Sequence, residues 1–254
     1  LLIFDDNSNF YIPDYEINQI ENYNFAEGYM MFADHSIEMN MSGQAISHNH
    51  PIVLDPYKAN MIPYFHESCL PVEYAFSSLS DQILLVKDDQ GLYYIPNQNI
   101  NTLESLCPGN AYIVFLNSEI SIEFSYPEMI SSRKISNSEP VNTNLSKLEN
   151  HSIYKTGIST PIIINEYIGD YIPGDDLVVF ANNIPVGVSA VSGEFPIVIS
   201  SWAKFETSNY ELPGYETGDE ISVKLYRDNE YIDVESSLSS DFFGTENIIT
   251  GTIE

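Results

Sequence analysis

Positive charge is scarce in this sequence: nine Lys plus Arg stand against 37 Asp plus Glu, a net charge of −28. Such a surface repels phosphate backbones and anionic headgroups, so nucleic-acid binding and adsorption to acidic membranes are excluded as expectations. Long apolar runs are also missing. None approaches the roughly 20 residues of a spanning helix, and no membrane span is expected. The opening Leu1-Leu2-Ile3-Phe4 meets Asp5-Asp6 at once, without the basic flank or the length of a targeting segment. With no Met at position 1, the sequence reads as a piece that starts mid-protein. Cysteine occurs twice, as Cys69 and Cys107, too few for a disulfide scaffold and not a zinc pattern. No Gly-x-Ser-x-Gly elbow is present, and nothing singles out two carboxylates for glycoside hydrolysis. The chain is therefore not expected to be an enzyme.

What is there is β-forming. Hydrophobic residues make up 43% of 254 residues, with 18 Tyr and 13 Phe, and 14 Pro and 13 Gly punctuate them as turns. That length predicts two or three modules.

The firmest feature is an internal repeat. Residues 1–13 (LLIFDDNSNFYIP) lie over 84–96 (LLVKDDQGLYYIP), an offset of 83 residues. The register continues without a gap over about 43 positions, through Ile17-Asn18 and Ile100-Asn101, Glu21 and Glu104, Tyr29 and Tyr112, and Phe32 and Phe115. In each copy an apolar run ends in an Asp-Asp turn, and an aromatic strand stops at Pro13 or Pro96. A last strand is expected from the alternation of 36–41 and of 119–124. Val72, Ala75, Phe76 and Leu79 share one face of a short helix. Residues 1–43 thus read as the back half of one unit and 44–130 as a complete unit. A unit closing around 1–83 is the other partition the repeat allows.

Asn60-Met61-Ile62, Val86-Lys87-Asp88, Tyr94-Ile95-Pro96, Ile100-Asn101 and Pro108-Gly109-Asn110-Ala111-Tyr112 resemble a repeated β-module of large secreted bacterial surface proteins. Those modules read Trp-Asn-Met-Ile-Ser, then Val-Lys-Asp-x-x-Gly, then Pro-Gly-x-Gly-Tyr. Here Ala59 replaces the Trp and Pro63 the Ser. The resemblance implies an accessory or stalk role at the cell surface or outside the cell. It carries no catalytic residues.

Residues 131–152, rich in Ser and Asn, read as a linker. From 153 to 254 a β-sandwich is expected, with strands near 161–165, 176–181, 186–191, 195–200 and 220–227. Gly174-Asp175-Asp176-Leu177-Val178-Val179-Phe180, Val186-Gly187, Trp202 and Gly218-Asp219-Glu220-Ile221-Ser222-Val223-Lys224 resemble a second, Gly-Asp-Glu-Ile type module of similar proteins. The fold class is all-β: tandem small β-modules followed by a sandwich.

Candidate chemistry is thin. Asp175, Asp176, Asp219 and Glu220 are paired acids at turns, candidates for calcium or for plain turn chemistry. Trp202, Tyr210 and Tyr215 surround a loop; an exposed, coplanar Trp202–Tyr215 pair would stack on glycans, while a lone Trp is more often core. His48-Asn49-His50 reads as a polar inter-repeat loop rather than a metal site. Cys69 and Cys107 both fall in the complete unit, and Asn24 stands opposite Cys107 in the first copy, so a disulfide is a candidate, with two buried thiols as the alternative. The expected function is a structural or adhesive segment whose partners are neighbouring modules, identical subunits or glycans. The alternatives are a carbohydrate-binding accessory module and a virion fibre or decoration protein.

Overall fold

A computed structural model describes residues 1–33, 35–40, 42–129, 145–207 and 210–254. The chain is mostly β and divides into two compact units. One comprises Leu1–Asp88 with Leu92–Ser138, and the other Glu139–Glu254 with Asp89–Gly91.

The first unit opens with β1 (Leu2–Phe4), β2 (Phe10–Ile12), a 3-10 turn (Pro13–Tyr15), β3 (Ile17–Asn18) and β4 (Met30–Phe32), and continues with β5 (Ile52–Leu54), β6 (Asn60–Pro63), β7 (Leu70–Pro71) and helix α1 (Val72–Ala75). It ends with β8 (Ile83–Lys87), β9 (Tyr93–Ile95), a 3-10 turn (Pro96–Gln98), β10 (Ile100–Asn101), β11 (Ser105–Leu106), β12 (Ala111–Leu116) and β13 (Ile122–Phe124). One antiparallel sheet has the order β3-β2-β1-β4, and a second the order β10-β9-β8-β12-β6. The registers agree at the repeat's offset: Ile3 faces Tyr11 and Met31, as Val86 faces Tyr94 and Val114.

The same local chemistry drives both segments. Asp5 Oδ1 accepts the Asn9 amide at 2.9 Å, and Asp88 Oδ1 accepts the Leu92 amide at 2.8 Å, closing the β1–β2 and β8–β9 turns. Pro13 and Pro96 fix φ and stop each strand, and the 3-10 turn that follows ends on a left-handed residue, Glu16 at φ 56° or Asn99 at φ 55°. The side-chain oxygens of Asn18 and Asn101 then accept the amides of Glu21 at 3.0 Å and Glu104 at 2.9 Å.

The core of the first unit gathers α1 and its following turn (Val72, Ala75, Phe76, Leu79) against Ile62, Val86, Val114, Phe124 and Tyr126. Regular α-helix covers only 72–75, but all four residues of the expected apolar face are buried. Each such large side chain contributes roughly 1.5–3 kcal/mol relative to exposure.

One expected strand is missing. Residues 119–124 do supply β13, which pairs with β5. Residues 36–40 form no strand, and Met41 lies outside the described residues. An alternating pattern needs a partner strand, and residues 36–40 have none among the described residues.

The second unit consists of α2 (Leu145–Asn150), β14 (Ser159–Tyr167), β15 (Asp176–Ala181), β16 (Ile184–Ala190), β17 (Ile197–Trp202), β18 (Phe205–Thr207), β19 (Tyr210–Leu212), β20 (Ile221–Arg227), β21 (Glu230–Asp233), β22 (Ser236–Leu238) and β23 (Ile249–Ile253). Two four-stranded sheets, β17-β14-β23-β22 and β16-β15-β20-β21, pack alternate apolar residues into a shared core. The five expected strands are present within a few residues of their expected limits. Asp228 at φ 53° and Asn229 at φ 67° form the tight β20–β21 turn, whose two left-handed positions suit Asp and Asn. β14 and β23, the first and last strands, run parallel from Ile162 beside Ile249 to Tyr167 beside Ile253.

The expected linker contains a helix. Residues 131–144 lie outside the described residues, but 145–150 form α2, and Leu148 and Ile153 are buried against Val178, Phe180, Val188 and Trp202. Tertiary burial stabilises this short helix, whose own composition is a weak helix signal.

Candidate functional site

The two cysteines form a disulfide. Cys69 and Cys107 sit one position beyond the Leu70–Leu106 pair of β7 and β11, which brings their Cα atoms to 4.1 Å. Next to the bond, the Cys107 amide donates to the Tyr112 hydroxyl at 2.7 Å. In the first copy the Asn24 amide makes the same bond to Tyr29, at 2.9 Å and without a crosslink.

Three of the four acids, Asp175, Asp176 and Asp219, are taken up by internal contacts. Arg227 clamps Asp175 through Nε at 3.0 Å and a second guanidinium nitrogen at 2.6 Å, and the Ile172 amide adds a bond of 2.7 Å. The Arg227 bond holds the Asp175 carboxyl below its ordinary range against the opposing effect of burial. Asp176 accepts Lys147 at 2.8 Å and lies 3.8 Å from His151 Nε2. Burial alone would raise the Asp176 carboxyl, but His151 and Lys147 outweigh it and lower it. Asp219 accepts the Asn182 side chain and the Glu216 amide, each at 2.8 Å, while Glu220 is tied through its own amide to Asn182 Oδ1 at 3.2 Å. Asp175, Asp176 and Asp219 thus act as turn and ion-pair groups, whereas Glu220 is exposed and bonded through its backbone amide. Among the described residues no cluster of three or more His, Cys, Asp or Glu is arranged around a metal.

The aromatic platform is not formed. Trp202 is buried beneath α2, and Tyr215 is buried with its ring stacked on Phe243 at 4.0 Å and its hydroxyl bonded to Thr160 at 2.7 Å. Both rings belong to the interior because β17 and the strand bridge at Tyr215 turn them inward, so neither can stack on a sugar. The side chain of Tyr210 lies outside the described residues.

Two surface features were not legible as sites. Lys204 is held by Glu206 at 2.6 Å, Glu211 at 3.2 Å and Glu216 at 3.3 Å, beside a depression of about 360 Å³ that also touches Tyr215 and Thr217. Glu206 foremost, then Glu211 and Glu216, raise the Lys204 ammonium above its ordinary value. Only the Lys-x-Glu spacing of 204–206 hints at this in the sequence. The second feature is a histidine–aromatic cluster. His48 stacks on His66 at 4.7 Å, Tyr64 and Tyr126 flank His66 at 5.7 and 6.0 Å, and His50 meets Phe25 edge-on at 5.0 Å. His66 Nε2 lies 3.0 Å from the Pro127 carbonyl, which can only accept, so Nε2 carries the proton. Burial first, then the neighbouring His48, lower the His66 pKa, and the Pro127 bond opposes them. His48 and His50 are thus packed against rings, and Asn49 is exposed.

Neither a family model, nor a curated protein, nor a solved structure matches this chain.

Proposed function

We propose that this chain is a non-catalytic structural segment of an extracellular or surface-exposed protein, in which compact β-modules act as spacers and present surfaces to neighbouring modules. The Cys69–Cys107 disulfide carries this reading, because such bonds persist in oxidising surroundings and not in a reducing cytosol. The heavy negative charge favours solubility outside the cell and disfavours nucleic-acid partners. Asp175, Asp176, Asp219, Trp202 and Tyr215 serve internal contacts, which supports a role for these five residues in architecture. The test is to quench the host with acid, label free thiols and read the mass of the peptides bearing Cys69 and Cys107. Unlabelled cysteines, together with cleavage of the chain by protease added to intact cells or particles, are expected. Two alkylated thiols, or full protection from protease, would overturn the assignment.

A further inference from the structure

Three of the chain's five histidines, His48, His50 and His66, gather in the first unit, each against aromatic rings. His48 and His50 lie on a strap, residues 46–51, that leads into β5. The His48 ring lies face to face with His66, at 4.7 Å and 17° between the planes. His50 meets Phe25 edge-on at 5.0 Å and Phe65 edge-on at 6.2 Å. The hydrogen bonds of the strap are internal: the His50 amide donates to the Ser47 carbonyl at 2.9 Å, and the Ser47 hydroxyl to Asn49 Oδ1 at 2.7 Å. Ring contacts of the two imidazoles thus fasten the strap to the residues that follow β6. Phe25, between β3 and β4, is tied in through His50.

No counter-charge stands beside the stacked pair among the described residues. Tyr64 and Tyr126 flank His66, and burial holds both phenols above their ordinary range, so they stay neutral. Their hydroxyls are committed to the Ser68 and Pro63 carbonyls, at 2.7 and 3.0 Å. The Pro127 carbonyl accepts the Nε2 proton of His66. Glu67, next in sequence to His66, is exposed, and no carboxylate among the described residues pairs with His48, His50 or His66. Two neutral imidazoles stack well at this distance. Two imidazolium rings there would set like charges face to face where water screens them little.

We propose that the His48–His66 stack is an acid-sensitive fastener: it holds the strap 46–51 closed while its rings are neutral and releases it, together with the His50–Phe25 contact, when both rings are protonated. The surroundings set the direction. Burial first, then His48, lower the His66 pKa against the Pro127 bond, so the released form takes up a proton more readily than the closed one. Closure is therefore complete above the ordinary histidine value of 6.5 and is lost as pH falls through the lower value of the closed form. The opening is local, because Phe76 and Phe124, stacked at 5.0 Å in the core, belong to a cluster held by apolar packing. The inference rests on the packing around three rings and does not depend on where the protein resides.

The test is a pH series on the full chain, read by nuclear Overhauser contacts between ring protons. From about pH 7.5 to about pH 5, the His48–His66 and His50–Phe25 contacts are expected to weaken roughly fivefold or more, while the Phe76–Phe124 contact keeps its strength. In His48→Phe only one ring of the stack titrates, and a protonated His66 over an aromatic face is favourable. The His50–Phe25 contact of this variant is therefore expected to survive the same acidification, and His66→Phe is expected to behave alike. A variant that lacks the Phe76–Phe124 contact at neutral pH is misfolded, and the other variant together with the parent chain then decides. Ring contacts of the parent chain that do not change with pH would overturn the proposal. So would loss of the Phe76–Phe124 contact in step with them, which would assign the response to unfolding of the whole unit. An undiminished acid response in His48→Phe would also overturn it, by placing the trigger outside the stack.

Discussion

His66 and Asp175 are both titrating groups held by their surroundings, and they respond to acid in different ranges. His66 is buried between His48, Tyr64 and Tyr126 with a depressed pKa. Its unfolded form, near 6.5, takes up a proton more readily than the folded form, so its contribution is complete above that value and is lost as pH falls through the folded pKa. The first unit is therefore expected to weaken on mild acidification below about pH 6.5, and His66→Phe should flatten that slope in denaturant melts taken at a series of pH values. A slope that survives the substitution would place the proton elsewhere. Asp175 is a carboxylate lowered by Arg227, so its contribution is present above its ordinary value of 3.8 and disappears as pH falls through the lower folded value. Asp175→Asn should therefore remove part of the acid sensitivity of the second unit at strongly acidic pH only. The disulfide belongs to the same scale. It closes a loop of 38 residues, and replacing both cysteines by Ser is expected to cost about 3–4 kcal/mol in unfolding free energy. A loss well under 1 kcal/mol would mean that β7 and β11 hold this segment unaided.

Helix α2 shows where sequence reasoning stops at the level of elements. Its six residues lie in a Ser- and Asn-rich stretch, and Leu148 is its one buried apolar side chain among those described, so no periodicity announces it. It exists because Leu148 and Ile153 close over Val178, Phe180 and Trp202. Trp202 follows the common rule that a lone Trp is core, although its place before a polar loop does not say which way β17 turns it. The short β22 and β23 were also missed, since Thr250, Gly251 and Thr252 weaken the strand pattern and the pairing partner β14 lies more than 80 residues earlier in the sequence. By contrast, β15, β16 and β20 were legible, because their alternation is bounded by Gly174-Asp175, Asn182-Asn183 and Gly218-Asp219. Trp202 is the sole tryptophan and hence a reporter for α2. Leu148→Ala is expected to cost roughly 2–3 kcal/mol, and Leu148→Asp to shift the tryptophan emission to the red while β-sheet circular dichroism persists. Unchanged emission in the Asp variant would show that the helix does not seal this ring.

At the scale of the whole molecule, two units with separate cores lead to separate unfolding events. Calorimetry is expected to resolve two transitions, of which a reductant lowers only the one belonging to the unit that contains Cys69 and Cys107. A single transition that shifts as one would mean that the units unfold together. The parallel pairing of β14 with β23 has a mechanical consequence for the second unit. Ser159 and Ile253 stand at opposite ends of that strand pair, so tension applied at these two points slides the strands past one another and loads the whole ladder of hydrogen bonds at once. The β15–β16 hairpin pulled at Asp176 and Ala190 would instead open one bond at a time. In single-molecule stretching the first geometry should therefore rupture at the higher force, which makes the sandwich a clamp for anything that pulls on the chain lengthwise.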